Sequence, residues 1–328
     1  MKGRKNMAKK IGLVGIYFPG AYDALHENVP EGFELVDALS PEAYGNLADC
    51  EYLISRLDID PDIINHTPNV KFWQRWGAGF DHVDLKAWGE RGIPIATCPG
   101  VNSGIVAELA IMLMLAGYRN LLQINRQLRA GHWPRTEYFG RSFMIKGKTV
   151  GVLGLGHIGK KVAALATAFG ANVIYYDIVR QTEQEEKFGY RFVDFDTLLR
   201  ESDIYTIHCP LNEETRGMIG AEQFAQMKPT AMLINTARGS LIDEQALYKH
   251  MKAGKLKYAC LDVTDPEPPA ADNPLRTLPN CIMTPHLAGL ANNGLKRIGA
   301  FVCDEIERFL KGEKLVAEVT EDMLARMA

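Results

Sequence analysis

Lys148-Thr149-Val150-Gly151-Val152-Leu153-Gly154-Leu155-Gly156-His157-Ile158-Gly159 is the stretch whose reading decides the fold. The apolar run predicts a strand over Thr149–Gly154, delivered into a Gly-x-Gly-x-x-Gly turn. Helical spacing follows from Lys160 to Phe169. Such a turn needs glycine for three separate reasons: a tight bend, close backbone approach to a pyrophosphate, and close helix–strand contact. The helix N-terminus then offers unpaired N–H groups and the positive end of its dipole to phosphates. Gly154, Gly156 and Gly159 are therefore candidate cofactor residues.

The context extends the pattern. Gly170 stops the helix, and Asn172-Val173-Ile174-Tyr175-Tyr176-Asp177 predicts a second strand ending in an acid. Asp177 falls where a carboxylate takes the adenosine ribose hydroxyls and repels a 2′-phosphate. Arg180 is close enough in sequence to hold such a phosphate, but no base replaces the acid itself. NAD is the expected cofactor.

Composition places bounds on this reading. A chain of 328 residues suits two domains, and 47% hydrophobic with 23% charged residues describes an ordinary globular protein. A net charge of −3 gives no reason to expect nucleic acid or an acidic membrane surface as partner. Cys50, Cys98, Cys209, Cys260, Cys281 and Cys303 are scattered without metal-like spacing, as buried thiols of a reducing compartment are. No metal is expected. Met1–Lys5 ahead of Ile11–Ile16 has a superficial likeness to a secretion signal, yet the apolar run is short and lacks a cleavage site. It reads better as a first strand, and a cytoplasmic location is expected.

Strand and helix patterns alternate along the chain, which argues for parallel sheets covered by helices. The first hundred residues predict strands at Ile11–Ile16, Glu51–Ser55, Val70–Trp76 and Ile93–Cys98, without a phosphate fingerprint of their own. An amphipathic helix connecting the domains is expected from Ser103 to Arg119. Further strands are predicted at Val173–Asp177, Ile204–His208, Ala231–Thr236, Tyr258–Val263 and Cys281–Thr284, with helices at Asp243–Lys252 and Asn292–Leu310. The fold class is α/β. A dinucleotide domain over 102–290 interrupts a substrate domain made of 1–101 and 291–328.

Three predicted strands end in unusual residues: Asn235-Thr236-Ala237-Arg238-Gly239, Asp262 to Pro268 with Glu267, and Thr284-Pro285-His286. The carboxyl ends of strands in an open α/β sheet share one edge, where ligands bind. Arg238, Glu267 and His286 are thus expected to converge. An arginine fork binds a carboxylate through two parallel hydrogen bonds. A histidine gives a proton to a carbonyl oxygen as hydride reaches carbon, and takes it back in reverse. A glutamate beside the imidazole orients it and favours its charged form. Each residue has a competing structural reading as a turn histidine, a surface arginine or a loop-capping glutamate. Their coincidence beside a dinucleotide turn favours catalysis.

With these motifs in place the chain resembles the NAD-dependent D-isomer-specific 2-hydroxyacid dehydrogenases from about Ser55 to Leu310. The likeness is carried by Trp76-Gly77-Ala78-Gly79-Phe80-Asp81-His82-Val83-Asp84, Arg91-Gly92-Ile93-Pro94, Val106-Ala107-Glu108 and the glycine turn. His208-Cys209-Pro210-Leu211, Met227-Lys228-Pro229, Asn235 to Gly239, Asp262 to Pro268 and Thr284-Pro285-His286 complete it. The resemblance implies a Rossmann-type doubly wound sheet plus a smaller flavodoxin-like domain, with the active site in the cleft between. It implies Arg238 as carboxylate ligand, Glu267 as partner acid and His286 as general acid/base. It further implies cofactor contacts at His157, Ile158, Asp177, His208, Cys209, Pro210, Thr236, Ala237, Arg238, Asp262, His286 and Gly289, with Thr236 and Asp262 at the nicotinamide end. Substrate contacts are implied at Ala78 and Gly79, besides Arg238 and His286.

Relatives narrow the reading. Formate dehydrogenases of the superfamily pair their histidine with glutamine where this chain has Glu267. Phosphite-oxidising relatives carry lysine where it has Ala78. Co-repressor relatives keep the fold and sense NADH, which is the alternative from a different class. For the substrate side chain, Tyr17-Phe18, Ser55-Arg56-Leu57 and the Asn102 region are candidates. Arg56 would meet a phosphate or second carboxylate, or is simply a solvated turn residue. Gly131-His132-Trp133-Pro134-Arg135 resembles the arm through which family members form homodimers, with Trp133 packing on the partner.

Overall fold

The structure, a computed structural model, describes residues 8–320 apart from Ile16, Phe18, Leu57, Asp58, Asp81 and His82. Expectations resting on those six positions, on 1–7 or on 321–328 lie outside the described residues. The chain divides into two units, one joining the segment up to Asn102 with that from Leu290 onward, the other running Ser103–Gly289.

The first unit holds five parallel strands: β1 (Lys9–Gly15), β2 (Phe33–Ala38), β3 (Tyr52–Arg56), β4 (Phe72–Arg75) and β5 (Ile95–Ala96). Their order, β2-β1-β3-β4-β5, is flavodoxin-like. Side chains alternate across the sheet, as the two-residue period of a strand requires. Ile11, Leu13, Ile54 and Phe72 face the helices Pro19–Asn28 and Asn292–Lys311, while Leu53 and Trp73 meet Leu47, Ile63 and Trp88 on the other side. β2 escapes the sequence pattern because Glu34 and Asp37 interrupt its apolar residues on a half-exposed edge strand. The opposite edge is extended by the chain returning after the last helix. Thr97 N donates to Ala317 O (3.0 Å) and Val319 N to Ile95 O (2.8 Å).

The second unit holds seven parallel strands: β6 (Thr149–Leu153), β7 (Asn172–Tyr176), β8 (Arg191–Phe192), β9 (Ile204–Ile207), β10 (Met232–Asn235), β11 (Tyr258–Leu261) and β12 (Cys281–Met283). The order β12-β11-β10-β9-β6-β7-β8 runs outward from β6 through β8 and then returns to start again at β9. The reversal between β6 and β9 is the topological switch point of a Rossmann-type sheet, outside whose carboxyl ends ligands bind. Each of the six strands expected here ends one or two residues early, before Gly154, Asp177, His208, Thr236, Asp262 and Thr284. Gly154, His208, Asp262 and Thr284 still donate one last backbone bond to the neighbouring strand (2.8, 2.8, 2.9 and 2.9 Å), and the six residues together form the sheet's carboxyl edge.

Two further boundaries differ from expectation. The helix after the glycine turn begins at His157, three residues early, because the chain is already helical once Gly156 has capped it in extended conformation. The helix expected from Ser103 ends at Tyr118, one residue short of Arg119, and a second, unexpected helix follows it. Ser103–Tyr118 is followed by Asn120 in left-handed conformation (φ 51°), and Leu121–Arg129 leaves at a 60° bend. Nor is the first of these amphipathic. Apolar residues cover most of its circumference: Val106, Ala107, Ala110, Ile111, Leu113, Met114 and Tyr118 are buried against β10, β11 and the helix His157–Ala168, while Glu108 and the apolar Met112 are exposed on one stripe. Leu121–Arg129, by contrast, buries no residue. Among the described residues no single helix is long and apolar enough to cross a membrane. All six cysteines are free thiols, four of them buried.

Candidate dinucleotide and acid–base site

The glycine turn sits at the end of β6, beside the switch point. Gly154 has φ +87°, and a Cβ there would lie 2.8 Å from Cys209 N and 2.9 Å from the carbonyl carbon of His208. Only glycine lets the loop after β9 come so near. At Gly159 a Cβ would fall 2.0 Å from Gly154 O, so the helix rests directly on the turn. Gly156 faces open space, with nothing within 4 Å of an added Cβ. These are the three distinct roles that a pyrophosphate-binding turn asks of its glycines.

Asp177 braces this turn from β7. Its Oδ2 accepts from Leu155 N (2.7 Å) and its Oδ1 from Val179 N (3.0 Å). Each oxygen keeps a second lone pair for a ribose hydroxyl. At the ends of β9 and β10, His208 Nδ1 and Thr236 Oγ1 are buried without a hydrogen-bond partner among the described residues. His208 Nε2 lies 2.8 Å from Thr206 Oγ1, and burial pushes the imidazole down to about 3, so the ring is neutral. Burial likewise pushes the Cys209 thiol up to about 12, which makes it an inert wall rather than a nucleophile. Orphaned polar atoms, an open glycine and a braced acid along one sheet edge fit a dinucleotide.

Farther along the same edge the acid–base residues converge. Asn235, fully buried at the end of β10, accepts from Ala237 N (3.0 Å) and donates to Arg238 O (2.8 Å). That Asx-type turn fixes the backbone carrying Arg238. Asp262, 1% exposed, fixes the backbone carrying His286. Its Oδ1 accepts from Thr284 Oγ1 (2.5 Å) and Leu287 N (2.9 Å), its Oδ2 from Ala288 N (2.7 Å), and its carbonyl from His286 N (2.7 Å). So held, His286 takes a positive φ of 52°, a conformation for which histidine is enriched among side-chain-bearing residues.

His286 Nδ1 lies 2.7 Å from Glu267 Oε2, while Glu267 Oε1 accepts from Thr264 N (3.1 Å). The glutamate hydrogen bond raises the His286 pKa above the ordinary histidine value, against burial and the charge of Arg238. Burial on its own would raise the Glu267 pKa. The hydrogen bond and charge of His286, the Thr264 amide and the Arg238 charge outweigh it and hold the carboxyl below its usual range. The two side chains keep 39% and 33% of their surface exposed, enough to meet a ligand.

A model of the NAD-binding domain of D-isomer specific 2-hydroxyacid dehydrogenases matches residues 111–288. The chain belongs to this family. It is 41% identical over 258 residues to a D-3-phosphoglycerate dehydrogenase of Archaeoglobus fulgidus, covering 79% of this chain but only 49% of that one. The chain thus spans about half the length of that relative. A glyoxylate reductase of Korarchaeum cryptofilum is 36% identical over 269 residues, 81% of each chain. Among solved structures, an NAD-dependent formate dehydrogenase of Staphylococcus aureus in complex with NAD superposes with a TM-score of 0.82 at 30% identity, covering 95% of this chain and 99% of that one.

Within this family's NAD-binding unit, Gly154, Gly156, Asp177, His208, Cys209, Pro210, Thr236, Ala237, Arg238, Asp262, His286 and Gly289 lie at strand ends or in the loops that follow them, and His157, Ile158 and Gly159 form the first turn of the helix His157–Ala168. Asp262 also has a role beyond the expected cofactor contact, since its carboxylate holds the His286 loop. Arg56, Ala78 and Gly79 belong to the other unit: Arg56, 8% exposed, ends β3, and Gly79 O accepts from Arg75 Nε (3.4 Å) in the loop after β4. Tyr17, a pocket candidate, donates to Ile54 O (2.9 Å) and stands edge-on to Trp76, as a core aromatic does. Sequence reasoning missed Asn235, Gly239 and Glu244 as positioning residues. Only Asn235 carries a local signal, an amide side chain ending an apolar strand.

Proposed function

We propose that the protein is a 2-oxo acid reductase, transferring a hydride between NAD(H) and a 2-oxo/D-2-hydroxy acid. The observation that carries this reading is the 2.7 Å pair of His286 Nδ1 and Glu267 Oε2, with the Arg238 charge felt by both. With Nδ1 on the glutamate, His286 presents Nε2 to the substrate. Protonated, it donates to the carbonyl oxygen; neutral, it accepts the hydroxyl proton in the reverse direction. Arg238 grips the substrate carboxylate with its fork and fixes which face of the carbonyl is open. Glu267 stabilises the imidazolium until the proton leaves. The glycine turn and Asp177 hold the dinucleotide, whose nicotinamide supplies or takes the hydride when bound. Positioning and proton transfer act together, the latter contributing about 10²–10⁴-fold.

Ala78 and Gly79 are proposed as backbone donors to the carboxylate and Arg56 as a ligand for a second anionic group. The names of the relatives make glyoxylate and phosphohydroxypyruvate the first acids to try, with hydroxypyruvate as the unphosphorylated counterpart of the second. We also read the protein as a cytoplasmic homodimer. In support, Leu121, Leu122, Leu128, Trp133, Phe139 and Met144 are all exposed within 24 residues, Trp133 by 77%. An apolar concentration of that kind marks an interaction face. A species of single-chain mass alone at micromolar concentration would remove the dimer.

The activity is tested by NADH oxidation over a panel of those three acids with pyruvate and branched or aromatic 2-oxo acids. Turnover with at least one is expected. Tight NADH binding with silence across the panel would point instead to an NADH sensor.

A further inference from the structure

Arg180 stands three residues beyond Asp177, where an arginine accommodates the 2′-phosphate in NADP-binding sheets of this type. Here its guanidinium is engaged elsewhere. Nε donates to Glu185 Oε1 (2.9 Å) and Nη2 to Glu185 Oε2 (2.8 Å), a two-bond fork. Glu185 comes from the helix Thr182–Phe188 and is itself anchored from below. Its Oε1 also accepts from the hydroxyl of Tyr175 (2.7 Å), whose ring is fully buried in β7. The same hydroxyl accepts from Gln181 N (2.8 Å), fixing the start of that helix. The Arg180 guanidinium also lies over the Phe192 ring, 5.5 Å from its centre. Glu185 side-chain exposure is 17% against 60% for Arg180, so the carboxylate is the fixed partner and the arginine the movable one. The fork and the tyrosine hydroxyl push the Glu185 carboxyl down to about 2, and it stays anionic throughout the working range.

We propose that Glu185 is a specificity-determining residue that withholds Arg180 from the ribose end of the cofactor site. Selection of NAD over NADP then rests on two acids with different tasks. Asp177 repels a 2′-phosphate, and Glu185 occupies the cation that would receive it. A phosphate entering this site must compete with a carboxylate already seated in the guanidinium fork, while NAD leaves the pair undisturbed. Swapping Asp177 alone is therefore an incomplete route to NADP binding in this chain.

The test is equilibrium binding of NADH and NADPH, followed by nicotinamide fluorescence. It needs no oxo acid, so its outcome stands apart from the substrate reading. Glu185→Gln keeps the side chain's shape and removes its charge; Glu185→Ala removes the partner. Each is expected to lower the ratio of NADPH to NADH dissociation constants about fivefold, the scale of an exposed ion pair. In an Asp177→Asn background the gain should be at least as large, and adding Arg180→Ala should abolish it. A ratio within twofold of the parent in both Glu185 variants overturns the proposal. So does a gain that survives Arg180→Ala, because the cation would then not be the element released.

Discussion

Gly239 and Thr264 touch backbone to backbone. A Cβ on Gly239 would lie 2.1 Å from the carbonyl carbon of Thr264 and 2.2 Å from its oxygen. The contact joins the loop that carries Arg238 to the loop that carries Glu267, so the separation of the two functional side chains is set through main chain rather than through flexible side chains. Gly239→Ala must push the loops apart, and misplacement on the order of 1 Å costs about a hundredfold in turnover. We expect kcat/KM to fall by at least tenfold while NADH affinity stays within about threefold. An alanine variant with parental kcat/KM would mean that the loops yield freely.

The Glu267–His286 pair sets a direction for pH dependence. The His286 pKa is raised above 6.5, so the imidazolium that reduction needs persists to a pH above that value. Reduction should decline as pH rises through the raised pKa, and oxidation of the hydroxy acid should climb over the same interval. In Glu267→Gln the raising contribution is gone, and both midpoints should move to lower pH. His286→Ala should cut turnover at least a hundredfold with NADH binding nearly intact. Unmoved midpoints in Glu267→Gln would detach the glutamate from the proton donor.

At Arg238 the chemistry turns on shape as much as charge. A lysine keeps the positive charge but offers a single ammonium in place of a planar fork. Arg238→Lys is expected to raise KM for the 2-oxo acid by roughly tenfold or more, the loss of one charge-assisted bond. The NADH dissociation constant should change far less. Equal losses for acid and NADH would assign the arginine to the cofactor instead.

The legible part of this protein was whatever obeys a local rule. The glycine turn, the acid ending β7 and the alternation of strands and helices follow from spacing and residue type, and the three catalytic candidates follow from where strands stop. What escaped was non-local. Gly239 reads as an ordinary turn glycine until Thr264 is seen against it. Asp262 reads as one more acid at the edge, because nothing in its neighbours says that three donors from residues 284–288 will converge on its carboxylate. The bend at Asn120 depends on partners far along the chain: its Nδ2 donates to Arg141 O (2.9 Å) and its Oδ1 accepts from the Tyr258 hydroxyl (2.9 Å).

Glu244 is a further case of distance in sequence hiding a positioning role. From the first turn of the helix Glu244–Lys252 its Oε1 accepts from Asp265 N (2.8 Å) and its Oε2 from Asn273 Nδ2 (2.9 Å). The two anchors bracket the loop that presents Glu267. Loosening it in Glu244→Ala should shift the pH midpoint for reduction in the same direction as Glu267→Gln but by less, with kcat reduced a few-fold. A fall in stability with an unmoved pH profile would make the clamp purely structural.

The first unit offers a test that is independent of catalysis. Glu305 is a carboxylate with no exposed surface, on the helix Asn292–Lys311. Its Oε2 accepts from Val316 N (3.0 Å) and Ala317 N (3.3 Å), and its Oε1 also accepts from Val316 N (3.1 Å). The segment it holds forms the antiparallel bridge Ala96↔Glu318 at the edge of the sheet. In Glu305→Ala the Val316 and Ala317 amides lose their acceptor; the buried Ala317 amide costs about 1–3 kcal/mol, and the half-buried Val316 amide less. Glu305→Gln keeps the volume but turns a donor toward those amides, and should recover only part of the loss. The measurement is the denaturant midpoint, with limited proteolysis near residues 312–320 as a local readout. Alanine and glutamine variants both within about 0.5 kcal/mol of the parent, the range of ordinary surface substitutions, would show that the returning segment is held by the sheet edge alone.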